Sequence, residues 1–329
     1  MLNHSDFTLS FEVTKKMEVT NIIKPEDEGK TQSKEKHLLV KPILLEYRRQ
    51  ESKSRSLKKS LGGVELQASQ VTAMACQAAG RGVGDDKDRP GLLVSGLGHA
   101  LKPIQPAETG GLREVEFYQK VSRSTDPEIQ RWRDLAPKFY GIETVMREGS
   151  EASEHMVLEN LISGMARPCA LDIKPGRVTW PPEASREKIA KAASKCTGTK
   201  IPFGFGFQGM SVNNDQGQSR LDKDYGNALK ATTVHTILEN YLGARNDNTL
   251  KLAKLFLQKL ESIEKFIEKQ TAFVNFGCSV LFIYDHQDPS SVNVRLIDFV
   301  HTFPGNGEID QNFLFGLKNI RSLFESFLD

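Results

Sequence analysis

No two cysteines of this 329-residue sequence stand in Cys-x-x-Cys spacing: Cys76, Cys169, Cys196 and Cys278 are scattered singly along it. That excludes a ribbon-type zinc site and a disulfide framework, and leaves four reduced, mostly buried thiols as the expectation. Apolar runs near the roughly 18 residues of a bilayer crossing are missing too, and Met1 to Asp6 lacks the charged-then-apolar order of a signal peptide. The protein is therefore expected to stay inside the cell. There is no Gly-x-Ser-x-Gly elbow, no His-Arg-Asp loop and no Asp-Phe-Gly, which argues against an α/β-hydrolase and against an ordinary protein kinase. Glycines alternate in "GRGVGDDKDRPG" (80–91), but the Gly-Lys-Ser/Thr ending of a phosphate loop is absent, so a flexible loop is expected there. Neither sign of charge dominates: the formal net charge is +2, and 38% of residues are hydrophobic, enough for two lobes or one large domain. No internal repeat is visible.

What is present divides into a polar head and a globular remainder. Residues 1–62 are rich in charge and poor in apolar clusters, the composition of a largely disordered segment. Its end, "YRRQESKSRSLKK", gathers six basic side chains that suit a nuclear-import signal or acidic partners, or simply a solvated tail. From Val64 the pattern turns globular. "GLLVSGLGHALKPI" reads as two strands around a glycine turn, and "REVEFYQKV" has helical spacing. Asp126 and Pro127 supply the N-cap and first-turn proline of a helix reaching about Leu135. "KFYGIE" and "HMVLEN" then read as a strand pair. Further on lie a Lys-rich helical stretch from Ala184 to Lys195 and an amphipathic helix from about Asn248 to Gln270, whose apolar face fits a core better than a membrane or calmodulin. Two strands, "SVLFIYD" and "VNVRLIDFV", and a closing helix from about Asn312 to Leu328 complete an α+β pattern.

The chemistry concentrates in "PCALDIKPG" (168–176). Alternate residues of a strand share a face, so Asp172 and Lys174 stand side by side in an apolar frame. A lone Asp-x-Lys is most simply an ion pair. Three companions change that reading: Lys102 at a strand end, Glu114 on the next helix, and Asp298 inside "LIDF". Phosphoryl transfer needs a cation on the nucleotide phosphates, an acid to orient it, acids for Mg²⁺ and the acceptor hydroxyl, and a cation for the moving charge. The set supplies each of these.

At this point the sequence resembles a known family. "PCALDIKPG" fits the Pro-x-x-x-Asp-x-Lys-x-Gly signature of the inositol polyphosphate kinases, and "LKPIQP…LREVEFY", "VLENL", "SVLFIY" and "LIDFVHTFPGNGEIDQNFLFGLKNI" follow in the family's order. The resemblance implies a two-lobed fold distantly similar to protein kinases, antiparallel sheets with packed helices, and an interlobe ATP cleft. The lobes would span 63–160 and 161–329. It implies that Lys102 holds ATP phosphates with Glu114 orienting it, and that Glu159, Asn160 and Leu161 form the hinge to the nucleotide. Asp298 would bind Mg²⁺, Asp172 would face the acceptor hydroxyl, and Lys174 would stabilise the transferred group. Gln105, Lys174, Lys191, Lys195, Lys223 and His301 would hold the inositol phosphate. Asn160 stands where the family has a ribose-facing acid, Asn227 where an arginine is frequent, and "AETGGL" where another arginine is expected. Only about twenty residues separate Trp180 from Phe203, a short acceptor wall resembling the multikinase branch, which acts on tris- and tetrakisphosphates. Hexakisphosphate kinase activity and a non-catalytic nuclear scaffold are the alternatives. A monomer in nucleus and cytoplasm is the accompanying expectation.

Overall fold

A computed structural model describes residues 65–67, 71–74, 76–78, 91–106, 109–146, 152–187, 189–190 and 198–329. The head expected to be disordered (1–62), residues 80–90 of the glycine-rich stretch, Cys196, and the predicted site residues Lys191 and Lys195 lie outside these residues. Of the Lys-rich helix predicted from Ala184, residues 186–187 and 189–190 are helical, while Ala184 and Ser185 precede the helix.

The described residues begin with short strands β1 (Glu65–Gln67), β2 (Val71–Ala73), β3 (Leu93–Ser95) and β4 (Ala100–Pro103). Helices α1 (Gly111–Arg123) and α2 (Pro127–Leu135) follow, then β5 (Phe139–Met146) and β6 (Ser153–Leu158). These six strands form one sheet in the order β1-β5-β6-β4-β3-β2, antiparallel except where β1 runs parallel to β5. The start of α2 has the predicted chemistry. Asp126 accepts a hydrogen bond from the Glu128 N–H at 2.8 Å, and Pro127 takes the first helical position, where no N–H is needed.

Strand β7 (Pro168–Pro175), the four-residue helix α3 (Lys200–Phe203), β8 (Phe205–Asn214) and β9 (Gly217–Leu221) come next. Helices α4 (Lys223–Ala228), α5 (Thr236–Leu242) and α6 (Asp247–Ile267) lead to β10 (Phe273–Asn275), β11 (Ser279–Asp285), β12 (Asn293–Ile297) and β13 (Thr302–Pro304), and α7 (Gln311–Leu328) closes the chain. The second sheet, β12-β11-β7-β8-β9, is wholly antiparallel with β7 at its centre. Along β7 and β8 the pairing slips between Asp172 and Ile173: Asp172 faces Gly209 and Ile173 faces Phe207, which leaves Gln208 as the extra residue of a bulge.

The core of this half lies between that sheet and helices α5, α6 and α7. Asn246 caps α6 by accepting from the N–H groups of Asn248 and Thr249, while the Thr249 hydroxyl accepts from the Asn246 N–H. Leu252, Ala253, Phe256, Leu260, Ile263 and Ile267 then recur at helical spacing and are all buried. Phe256 packs at 5.6 Å from Phe282 of β11 and 5.7 Å from Phe324 of α7, edge-on and tilted arrangements that aromatic quadrupoles favour.

One expectation needs correcting. The apolar alternation of "VNVRLIDFV" predicts a strand carrying Asp298, but β12 ends at Ile297. Asp298 turns into the left-handed region (φ 66°), and residues 299–301 form a single tight turn. The cause is Phe299: it stacks on Phe117 of α1 at 3.9 Å and is fully buried, so the chain must leave the sheet to reach that pocket.

Truncating Phe256 tests the packing. Phe256→Ala is expected to cost about 3–5 kcal/mol in denaturant unfolding, while Leu255→Ala, on the half-buried flank of α6, costs clearly less. Equal losses would mean that the core does not lie on this face.

Candidate active site

Strand β4 delivers Lys102 to a position between two acids from distant parts of the chain. Its Nζ donates to Glu114 Oε1 at 2.7 Å and to Asp298 Oδ1 at 2.6 Å. Glu114 comes from α1, is 1% exposed, and also accepts from the Phe299 N–H at 3.0 Å. One carboxylate thus orients the lysine and anchors the turn that carries the other acid. Burial would lower the Lys102 pKa, but the charges of Asp298 and Glu114 outweigh it and raise it. Burial lifts Glu114 above the ordinary range in spite of the cation beside it. For Asp298 burial again pushes upward, and the ammonium groups of Lys102 and Lys174 overcome it and hold the carboxylate below its usual value. Asp298 is still 40% exposed, so its charge is open to the solvent side.

Asp172 and Lys174 sit in the second half of β7, and among the described residues no ion pair joins them. The simplest sequence reading of Asp-x-Lys therefore fails: Asp172 is 4% exposed, and its Oδ1 has no hydrogen-bond partner. A buried acceptor left open is expensive, and such groups call for an explanation beyond packing. Burial first, and the nearby Asp298 charge second, push its pKa up to about 7, with Lys174 and the Ser279 hydroxyl opposing. The Lys174 side chain runs past Gly277, where an added Cβ would lie 3.7 Å from Nζ.

Both sheets contribute to a single cleft of about 1070 Å³. Lys102, Gln105, Glu159, Asn160, Leu161, Asp172, Lys174, Lys223, Asp298 and His301 all line it, and Glu114 stands directly behind Lys102. At the predicted hinge the Glu159 carboxylate is already engaged, accepting from the Lys138 N–H at 3.1 Å and lying 3.8 Å from Arg295. Asn160 Oδ1 accepts from the Ile162 N–H at 3.3 Å, a local turn. Among the described residues, the Glu159 carbonyl and the Leu161 N–H make no hydrogen bond.

Several residues of the site escaped the sequence reading. Arg113 donates to the Val300 carbonyl at 3.2 Å and to Glu183 at 2.9 Å, approaches His301 Nδ1 at 3.4 Å, and lies 4.2 Å over the Phe303 ring. It braces the loop that presents His301. Arg295 donates to the Asp134 carbonyl at the end of α2 and so ties the hinge acid to that helix. Thr179 and Lys200 also face the cleft. The adjacency of Arg113 to Glu114 was a usable signal; nothing in their local sequence marks the other three.

The cleft suits a nucleotide and a divalent ion. Mg²⁺ is typically held by one or two carboxylates plus substrate phosphates rather than by a complete protein cage. Asp298, open to the cleft, meets that pattern. No group of three metal-ligating side chains occurs among the described residues.

A family model described as inositol polyphosphate kinase matches residues 155–325. Inositol polyphosphate multikinase alpha of Arabidopsis thaliana is 33% identical over 279 residues, covering 76% of this chain and 95% of the relative. Among solved structures, one from studies and engineering of an inositol phosphate multikinase is 27% identical, with a TM-score of 0.55, covering 66% of this chain and all of the other. The S. cerevisiae multikinase Ipk2 in complex with ADP and Mn²⁺ shares the fold at a TM-score of 0.58 and 23% identity, covering 70% of this chain and 98% of its own. Together with the Asp-x-Lys strand and the bridged lysine, these likenesses decide the matter: the chain belongs to the inositol polyphosphate kinase family.

Proposed function

We propose that the protein is an ATP-dependent, multikinase-type inositol phosphate kinase that transfers the γ-phosphoryl group to hydroxyls of inositol tris- and tetrakisphosphates. The observation that carries the reading is the Lys102 bridge between Glu114 and Asp298, set in one cleft with a buried, partnerless Asp172 oxygen and Lys174. The multikinase relatives support the acceptor class.

In this reading the adenine lies against the hinge, where the Glu159 carbonyl accepts and the Leu161 N–H donates, and Asn160 faces the ribose. Lys102, held by Glu114, positions the nucleotide phosphates. Asp298 would hold Mg²⁺, which would supply neutralising charge to the phosphoryl transfer. Asp172 orients the acceptor hydroxyl and takes its proton through the open Oδ1. The oxygen then attacks the γ-phosphorus, and the bond to the β-phosphate oxygen breaks, releasing ADP. Lys174 stabilises charge on the transferred group, an interaction strongest in the transition state. Gln105, Lys191, Lys195, Lys223 and His301 bind the remaining phosphates as point charges and donors.

The direct test is incubation with ATP, Mg²⁺ and a panel of inositol phosphates, followed by separation of products. Turnover of tris- and tetrakisphosphates is expected; turnover of hexakisphosphate alone, or none, would overturn the reading. Asp172→Asn and Lys174→Met should each lower kcat by roughly 10² to 10⁴ with ATP affinity nearly intact. Retention of more than about a tenth of kcat would remove both from the chemistry.

For Asp298 the informative change is to Asn, since Asn tolerates the left-handed backbone there better than Ala. Asp298→Asn is expected to abolish metal-dependent turnover while circular dichroism stays that of wild type. Near-normal turnover would sink the metal assignment.

A pH series on the protein without nucleotide or metal addresses Asp172 separately. Its folded-state pKa of about 7 lies above the ordinary carboxylate value, so between about pH 4 and 7 the folded state binds more protons than the unfolded state. Stability contributed by that proton is present at low pH and is lost as pH rises through 7. Asp172→Asn cannot lose it. The melting temperature of the variant should gain on wild type from pH 4 to 8, and a constant gap would show that Asp172 is not perturbed.

A further inference from the structure

We propose that Lys200, set in place by Thr179, is a further acceptor-binding residue that fixes one of the non-reacting phosphates of the inositol phosphate. The inference rests on the kinase reading above and extends its acceptor wall beyond the residues assigned there. Both side chains line the cleft, and Lys200 Nζ donates to Thr179 Oγ1 at 2.7 Å. The Thr179 hydroxyl is a neutral acceptor, so this contact orients the ammonium group and contributes no counter-charge of its own.

Thr179 and Lys174 belong to the same corner. A Cβ placed on Gly277 would come within 3.5 Å of the Thr179 carbonyl and 3.7 Å of Lys174 Nζ. Lys200 therefore brings a second cation to the end of the cleft where Lys174 meets the transferred group. A ring bearing several phosphates around its edge needs cations from more than one direction, and Lys200 arrives from α3 while Lys174 arrives from β7.

The mount is rigid, which separates this lysine from an ordinary surface one. The Gly176 N–H donates to the Gly204 carbonyl at 2.7 Å, and Arg177 Nε donates to the Ile201 carbonyl at 2.9 Å while its guanidinium lies 4.0 Å over Phe315. Asn312 of α7 clamps the next residue from both sides: the Val178 N–H donates to Oδ1 at 3.0 Å, and Nδ2 donates to the Val178 carbonyl at 2.8 Å. At the start of α3 the buried Thr199 hydroxyl donates to the Phe205 carbonyl at 3.0 Å. The backbone on both sides of the Lys200–Thr179 contact is thus pinned before any ligand arrives. A charge held in advance costs less to use on binding and discriminates among phosphate positions more sharply than a mobile one.

Lys200→Met is expected to raise KM for an inositol trisphosphate about tenfold, the loss of one charge-assisted hydrogen bond in a solvated site. KM for ATP and the melting temperature should stay at wild-type values. Lys200→Arg should recover part of the loss, and Thr179→Val, which keeps the charge and removes its anchor, should give a smaller rise in the same constant. Calorimetric titration with inositol trisphosphate in the absence of ATP gives a reading independent of turnover and should weaken in parallel for Lys200→Met. If wild type binds and phosphorylates the ligand while Lys200→Met does so with unchanged affinity, or if KM for ATP rises equally, the inference alone fails. If wild type neither binds nor phosphorylates any inositol phosphate, the kinase reading fails and takes the inference with it.

Discussion

The ammonium group of Lys102 is the point on which the site's architecture hangs. It joins β4 to α1 through Glu114 and to the turn after β12 through Asp298, which lies 196 positions from Lys102 in sequence. Such a cluster is costly to dehydrate, and removing one member strands the charge of another, so its geometry is held in an all-or-none manner. Because Glu114 also takes the Phe299 N–H, one buried carboxylate sets the orientation of the cation and the path of the chain beyond it. The apolar partner of this polar joint is Phe299 itself, stacked on Phe117 and edge-on to Tyr118 at 5.6 Å and Trp132 at 6.3 Å. Packing and electrostatics agree on where Asp298 must be, which is how a non-glycine residue is kept in a left-handed conformation.

Around this joint the acids divide by environment. Glu114 is buried and structural in its contacts, Asp298 is partly open and kept ionised by two lysines, and Asp172 is buried with one oxygen unspent. Three carboxylates in one cleft thereby acquire three different affinities for a proton, the arrangement from which separate chemical duties are built.

Much of this was legible in the sequence, and the reasons it was or was not are physical. Residues whose function demands a fixed type at a fixed spacing announced themselves: Asp172 and Lys174 two apart in an apolar strand, Lys102 followed by Glu114 on a helix, Asp126-Pro127 as a cap. The long helix α6 was plain because six buried side chains keep one period. The left-handed turn at Asp298 was not legible, since "LIDFV" alternates like a strand and only the tertiary pocket for Phe299 diverts it. Strand β9 went unseen because most of "GQSRL" is exposed and offers no apolar alternation, and β10 and β13 are too short to leave a periodic trace. Arg295 reaches the distant Asp134 carbonyl and Lys200 the distant Thr179 hydroxyl, and no local pattern encodes such contacts.

The bulge at Gln208 carries a consequence for how this chain can change. Before it, Phe205 and Phe207 turn inward; after it, Met210 and Val212 do, so the inward positions switch from odd to even numbers. A single deletion is therefore absorbed in β8 only at the bulge itself: losing Gln208 would leave an unbroken alternation with Met210 and Val212 still inward, and would regularise the pairing beside Asp172. Losing a residue beyond it, such as Ser211, would turn Val212 to the face that polar residues now occupy. Away from Gln208 the length of this strand is thus fixed more tightly than its composition, and other insertions or deletions belong in the turn at 215–216, where the hairpin of β8 and β9 reaches solvent.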